Sequence, residues 1–189
     1  MSADNQQERP KKLNSWYIVG FVEGEGTFHI AFYKDPKMAV GIKVIPEFHV
    51  NQSLLRINTL QEIQKFFGCG YIKENHRNRT NDITRVYVIR NRKDLLEKII
   101  PFFENYSLLS IKNNDFSKFS EIVKLIDNGE HRNIKGIKKI LRIAYNMNNQ
   151  GKYRKVKLND LLTSLESSET IRQTPKIFGR RKSPNLIAI

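Results

Sequence analysis

Two glutamates, Glu23 and Glu25, close the run Ile18-Val-Gly-Phe-Val-Glu-Gly-Glu-Gly26, and the second of them sits between glycines. A carboxylate presented in this way at the end of a small-residue helix can be aimed at a hard divalent cation, which takes oxygen ligands. Gly20 and Gly24 are four residues apart, so on a helix they share one face and admit a second backbone, while Phe21 and Val22 anchor the other faces in a core. Two such helices side by side would bring the Glu25 of each to a common point, where a cation offsets the repulsion between the two charges. Glu23 lies about 200° around the helix from Glu25, so the two acids of one chain do not face one ion. The plainer alternative is a helix that ends at a glycine cap before a strand, with both acids solvated.

Other chemistries find little support. The histidines His29, His49, His76 and His131 do not fall at metal-ligand spacing, and paired cysteines of the zinc-site kind are absent. Cys69 stands alone between Gly68 and Gly70, a turn position, and a single thiol implies a reducing compartment. Lys plus Arg number 33 against 19 Asp plus Glu, a net charge of +14, which draws the chain to polyanions and makes nucleic acid the leading partner. No apolar run approaches the roughly 20 residues that span a bilayer, and Met1 to Lys12 is polar, so the expectation is an intracellular protein with no membrane partner. An organelle (mitochondrion or chloroplast) and a prokaryotic cytoplasm are both open.

The elements that must position Glu25 can be read from periodicity. Asn14 or Ser15 offers an N-cap for a helix to about Gly24. Thr27 to Tyr33 alternates as a half-buried strand with Phe28, Ile30 and Phe32 on one face. A second strand, about Val40 to Asn51, turns Ile42, Val44, Phe48 and Val50 inward, and Pro46 argues for an edge or a bulge. Leu54, Ile57, Leu60, Ile63 and Phe67 mark an amphipathic helix over Ser53 to Phe67, stopped at Gly68. Tyr71 to Asn75 and Thr84 to Asn91 read as strands, the latter with Val86 and Val88 inward and Arg85, Tyr87 and Ile89 outward. Helices follow over Asp94 to Phe103, Asn114 to Asp127 and Ile134 to Met147.

The predicted fold is α+β. It has an αββαββα core whose four strands form one antiparallel sheet backed by helices, with extra C-terminal helices. Residues 1–13 form a flexible lead, 14–163 one domain, and 164–189 a basic flexible tail. The exposed face of such a sheet can lie in a major groove.

Further short patterns follow the first in order. Pro46-x-Phe48-x-Val50-x-Gln52 leads toward the second helix, and Gly68-Cys-Gly-Tyr-Ile72 turns from helix to strand. Ile100-Pro-Phe-Phe-Glu104 precedes Leu108-Leu-Ser-Ile-Lys112, and Asn146-Met-Asn-Asn-Gln-Gly151 with Arg154-Lys155 forms a last block. Together with the nine-residue run they resemble the LAGLIDADG homing endonucleases, and the resemblance extends through about residue 157. It implies phosphodiester hydrolysis assisted by Mg2+, with Mn2+ or Ca2+ able to replace it for binding. Glu25 matches the family's metal-binding acid, with Gly26 or another carbonyl at the helix end supplying a second oxygen. Gln52 matches a polar residue that orients water and Lys112 a charge stabiliser, while Arg56, a helical turn beyond Gln52, would hold a phosphate or a solvent network.

One motif per chain implies a homodimer joined at Gly20 and Gly24 that cuts both strands of a long pseudo-palindromic duplex and leaves 3′ overhangs. Bases would be read by outward side chains: Thr27, His29, Tyr33, Lys43, Glu47, His49, Asn51, Tyr71, Lys73, Asn75, Arg85 and Tyr87. Phosphates would be held by Lys34, Lys37, Arg77, Arg79 and the Lys152 to Lys157 cluster, with Arg154 and Lys155 in it. The alternative from another class is a maturase that binds intron RNA with the same fold. A DNA-binding regulator with a dead motif is expected to lack Glu25.

Overall fold

Asn14 opens the first helix by accepting the Trp16 amide at 2.8 Å on its side chain, and α1 runs Ser15–Glu25. The computed structural model describes residues 13–75, 83–149, 151, 152, 154, 156–163 and 165. The sequence passes without a loop from α1 into β1 (Gly26–Lys34), which pairs antiparallel with β2 (Ile42–Ser53). A single 3-10 turn, Leu54–Arg56, leads to α2 (Ile57–Phe67), which stops where Gly68 takes φ +61°. Strands β3 (Tyr71–Glu74) and β4 (Thr84–Ile89) complete the sheet in the order β1-β2-β4-β3.

Three helices follow. In α3 the segments Arg92–Asp94, Leu95–Ile99 and Ile100–Asn105 follow one another without a break, and the middle one is a π turn that ends two residues before Pro101, which has no N–H to give an ordinary helical bond. α4 is Lys112–Asp127 and α5 is Ile134–Tyr145. The observed order is the expected αββαββα core with extra helices.

The register fixes the two faces. Phe28 opposes Phe48, Phe48 opposes Ile89 and Val50 opposes Tyr87, so these residues share the helix-covered face. Phe28, three residues past Glu25, is fully buried with the rings of Phe48, Phe103, Phe116 and Phe119 about it at 5.3 to 5.4 Å. Thus the aromatic core lies directly under the end of α1.

Two expectations need correction. β2 is an inner strand, yet Pro46 is tolerated because β4 ends opposite Phe48, leaving the side of β2 away from β1 unpaired at Pro46. The phase of β4 is the reverse of that expected: Tyr87 and Ile89 face the helices while Val86 and Val88 lie on the outer face, beneath neighbouring side chains. Thr84 to Ile89 is apolar in both phases, so alternation could not choose between them.

β1 is an edge strand, and two of its carbonyls are covered. Asn148 donates its side-chain amide to the Phe28 carbonyl at 2.8 Å, and Arg154 donates to the Ile30 carbonyl at 3.1 Å. Asn148 and Asn149 adopt positive φ to make the turn that allows this. The chain divides into two units at Arg154 and Lys155, and all that precedes belongs to the first; in the second, residues 158–163 are helical. Among the described residues no helix is long and apolar enough to cross a membrane.

Candidate metal centre and nucleic-acid face

α1 ends with two acids at its negative pole, where a helix favours cations, and its own last turn carries no basic residue. The two acids do different work. Glu23 turns toward the loop before α4, where its carboxylate accepts the Leu109 amide, the Ser110 amide at 3.1 Å and the Ser110 hydroxyl. Burial alone would push Glu23 up, but the Ser110 hydroxyl, the two amides and the Lys112 charge outweigh it and hold the carboxyl below its ordinary value. Glu25 is exposed, and among the described residues nothing bonds its carboxylate.

Lys112, the first residue of α4, supplies the cation the helix end lacks. Its ammonium donates to the Val22 carbonyl at 2.8 Å and the Gly26 carbonyl at 2.6 Å, and Ser110 Oγ accepts the Lys112 amide at 3.1 Å. Glu23, Ser110 and Lys112 therefore tie the loop to α1 on both sides of Glu25. Burial lowers the Lys112 ammonium from its ordinary value against the pull of Glu23, Glu25 and Asp115. The Gly26 carbonyl, expected as a second oxygen for the metal, is engaged by this ammonium.

The donor set suits a hard cation in kind, a free carboxylate on a rigid helix end, but not in number. Among the described residues no three His, Cys, Asp or Glu side chains gather to hold a metal. Gly20 and Gly24 are exposed, a Cβ added at either would meet nothing within 4 Å, and Trp16 and Tyr17 on the preceding turn are 58% and 49% exposed. Among the described residues nothing covers this face of α1.

Gln52 stays in β2 rather than in a helix, so its expected helical spacing to Arg56 is incorrect; Leu54–Arg56 is a separate 3-10 turn. Gln52 Oε1 accepts the Ser53 amide at 2.8 Å. Val50 pairs with Gly26, so Gln52 lies about 7 Å further along the strand from the end of α1. Arg56 is exposed.

On the outer sheet face the register gathers Thr27, His29 and Tyr33 of β1, Lys43, His49 and Asn51 of β2, and Tyr71 and Lys73 of β3. Asn75 continues this phase past β3, and Lys34, Lys37 and Lys152 are exposed in strand end, loop and turn. Burial and the charges of Arg154 and His49 lower His29 against the pull of Glu47. Arg77, Arg79 and Lys155 lie outside the described residues.

Four residues expected to contact DNA do not present themselves for it. Tyr87 is fully buried and donates its hydroxyl to the Cys69 carbonyl at 2.7 Å; a buried Tyr needs only such a partner for its polar tip. Arg85 shares the Tyr87 phase and pairs with Glu74 at 3.2 Å. Arg154 is the covering residue of β1, its guanidinium 4.7 Å from the Tyr145 ring and 5.4 Å from that of Phe32. Glu47 is on the outer face but 6% exposed, bonded to His49 and Arg90 and so closed to a base. Sequence reasoning missed Arg90, which the Val86-Val88 phase would have brought to this face, and Ser110, whose role depends on a contact 87 residues away in sequence.

Comparison with known proteins bears on this architecture. A relative named "Probable intron-encoded endonuclease 2" from Neurospora crassa is 35% identical over 127 residues, 67% of this chain and 26% of the relative. The chain spans about a quarter of the length of the curated relatives it matches first. The crystal structure of the homing endonuclease I-TnaI superposes with a TM-score of 0.72 at 36% identity, covering 82% of this chain and 99% of that one. The archaeal intron-encoded homing endonuclease I-Vdi141I, complexed with DNA, superposes with a TM-score of 0.74 at 31% identity, covering 82% of this chain and 96% of that one. The family model described as LAGLIDADG endonuclease matches residues 18–123, from the glycine-bearing face of α1 to the C-terminal half of α4. With the paired acids, the four-stranded sheet and Lys112 all inside that span, the chain belongs to the LAGLIDADG endonuclease family.

Proposed function

We propose that the chain is an intron-encoded, site-specific homing endonuclease that acts as a homodimer and makes a metal-dependent double-strand cut in a long pseudo-palindromic DNA. The observation that carries this reading is Glu25: an unbonded carboxylate at the negative end of α1, beside an open face formed by Gly20 and Gly24. One carboxylate falls short of what a hard cation requires, and a second copy packed on that face supplies its twin. A divalent ion held there, Mg2+ in the first instance, stabilises charge on a phosphoryl oxygen and acidifies the attacking water.

The chain's own residues do the rest. Lys112 places a positive charge beside the helix end, Gln52 offers an amide to orient water, and Arg56 holds a flanking phosphate. The outer sheet face reads each half-site through His29, His49, Asn51, Tyr71 and Lys73, with Lys34, Lys37 and Lys152 on phosphates. The excess of basic over acidic residues suits the chain to a polyanion.

The test is incubation of purified protein with the intronless insertion-site duplex and Mg2+. Double-strand cleavage with 3′ overhangs is expected, and Glu25→Gln should reduce it at least a hundredfold, about 2.7 kcal/mol of barrier, while DNA binding persists. Tight binding to intron RNA without cleavage of the duplex would overturn this in favour of a maturase.

A further inference from the structure

Arg90 follows β4 in the phase of Val86 and Val88 and so projects from the outer sheet face. Its guanidinium is fixed from two sides. Nη2 forms an ion pair with Glu47 Oε1, and the guanidinium carbon stands 5.8 Å over the ring of Tyr71. Glu47 is itself held, since its other oxygen accepts Nε2 of His49 at 2.9 Å. Burial would push Glu47 up, but the His49 bond and the charges of His49, Arg90 and His29 outweigh it and keep the carboxylate ionised.

This is an uncommon use of an acid on a nucleic-acid face. With both oxygens engaged and the side chain almost wholly covered, Glu47 cannot accept from a base; what it can do is hold Arg90. The Arg90 side chain remains 43% exposed, and among the described residues no other group bonds it, so Nε and Nη1 keep free donors. Glu47 and Arg90 lie at the two inner strands, with His29 and Tyr71 on the flanking ones. An inner-strand position faces a groove floor, whereas phosphates run along the rims.

We propose that Arg90 is a specificity-determining residue that reads a guanine in the major groove, and that Glu47 is its positioning residue. The proposal rests on the DNA-cleaving reading above. A guanidinium fork matches guanine O6 and N7, and a side chain already held by a carboxylate and a ring loses less freedom on binding than a free arginine. Two-fold symmetry repeats the contact once in each half-site.

The test is selection from a randomised duplex library by the full chain, with Arg90→Gln, Arg90→Lys and Glu47→Gln beside wild type. Wild type should recover a motif with a guanine in each half-site. Arg90→Gln should flatten that column by tenfold or more and leave the others sharp. Arg90→Lys, which keeps the charge and an ion pair to Glu47, should flatten the same column with an unchanged salt slope. Glu47→Gln should blunt it too, although Glu47 touches no base. If the Arg90 variants weaken all sequences alike and leave every column intact, Arg90 holds a phosphate and the proposal is wrong. A wild-type protein that recovers no motif from the library would sink the DNA-targeting reading itself.

Discussion

The ammonium of Lys112 caps the carbonyl of Gly26 at 2.6 Å, so the first residue of α4 finishes the end of α1 across 86 positions of sequence. It does so at the point where helix and strand join without a loop, one residue past Glu25. The carboxylate proposed to hold the metal and the ammonium proposed to stabilise charge beside it are thereby set on one corner.

Lys112 gives a pH prediction. Its ammonium is lowered from the ordinary 10.5 chiefly by burial, so as pH rises it loses its proton before 10.5 is reached. Cleavage should fall on the alkaline side before 10.5 is reached, and Lys112→Arg should carry that limb to higher pH. Folding should not weaken over the same interval, because there the unfolded chain binds the extra proton and stability rises with pH. A pH-rate profile whose alkaline limb ignores the substitution would exclude Lys112 from the reaction.

Glu23 should act on the loop rather than the chemistry of the ion. Glu23→Ala removes the acceptor of the Leu109 and Ser110 amides, and their hydrogen exchange should quicken while amides of the β1 and β2 centre stay slow. In wild type the carboxyl is lowered from 4.5 in the fold, so its contribution is complete above that value and is lost as pH falls through the lower folded one. Exchange at these two amides followed down the acid range tests this directly.

Gly20 should separate folding from association. Since a Cβ there meets nothing within the chain, Gly20→Ala should stabilise the monomer by up to about 1 kcal/mol, the usual gain in a helix interior. The bulkier Gly20→Leu should fold and yet lose dimer, read by sedimentation. A Gly20→Leu protein that sediments and cleaves like wild type would remove α1 from the interface.

Gly26 should be intolerant for a local reason. A Cβ there would stand 2.5 Å from Val22 Cγ1 and 2.7 Å from the Val22 carbonyl, the same oxygen that Lys112 engages. Gly26→Ala should cost about 1–3 kcal/mol and lower the melting temperature by several degrees. Cleavage should drop with it, as the backbone shift moves the Lys112 anchor.

Much of this was legible because it is local. Asn14 before an apolar run, the alternation around Phe28 and the spacing of Leu60, Ile63 and Phe67 each specify an element from a few neighbours. β4 failed because valines and the Tyr87-Ile89 pair make both of its faces apolar, and only pairing with Val50 settles the phase. Arg154, Glu47 and Ser110 failed for a different reason. A charged or polar residue announces a need for a partner but not whether the partner is solvent, DNA or a distant strand, and here Ile30, Arg90 and Glu23 are those partners.

The clasp that Asn148 and Arg154 lay along β1 has a bearing on assembly. With the Phe28 and Ile30 carbonyls already claimed, the middle of that flank is a poor template for another copy to extend the sheet. Newly made chains crowded together are thus steered away from ribbon-like polymers on this side, which leaves the glycine-lined face of α1 for the proposed closed pair.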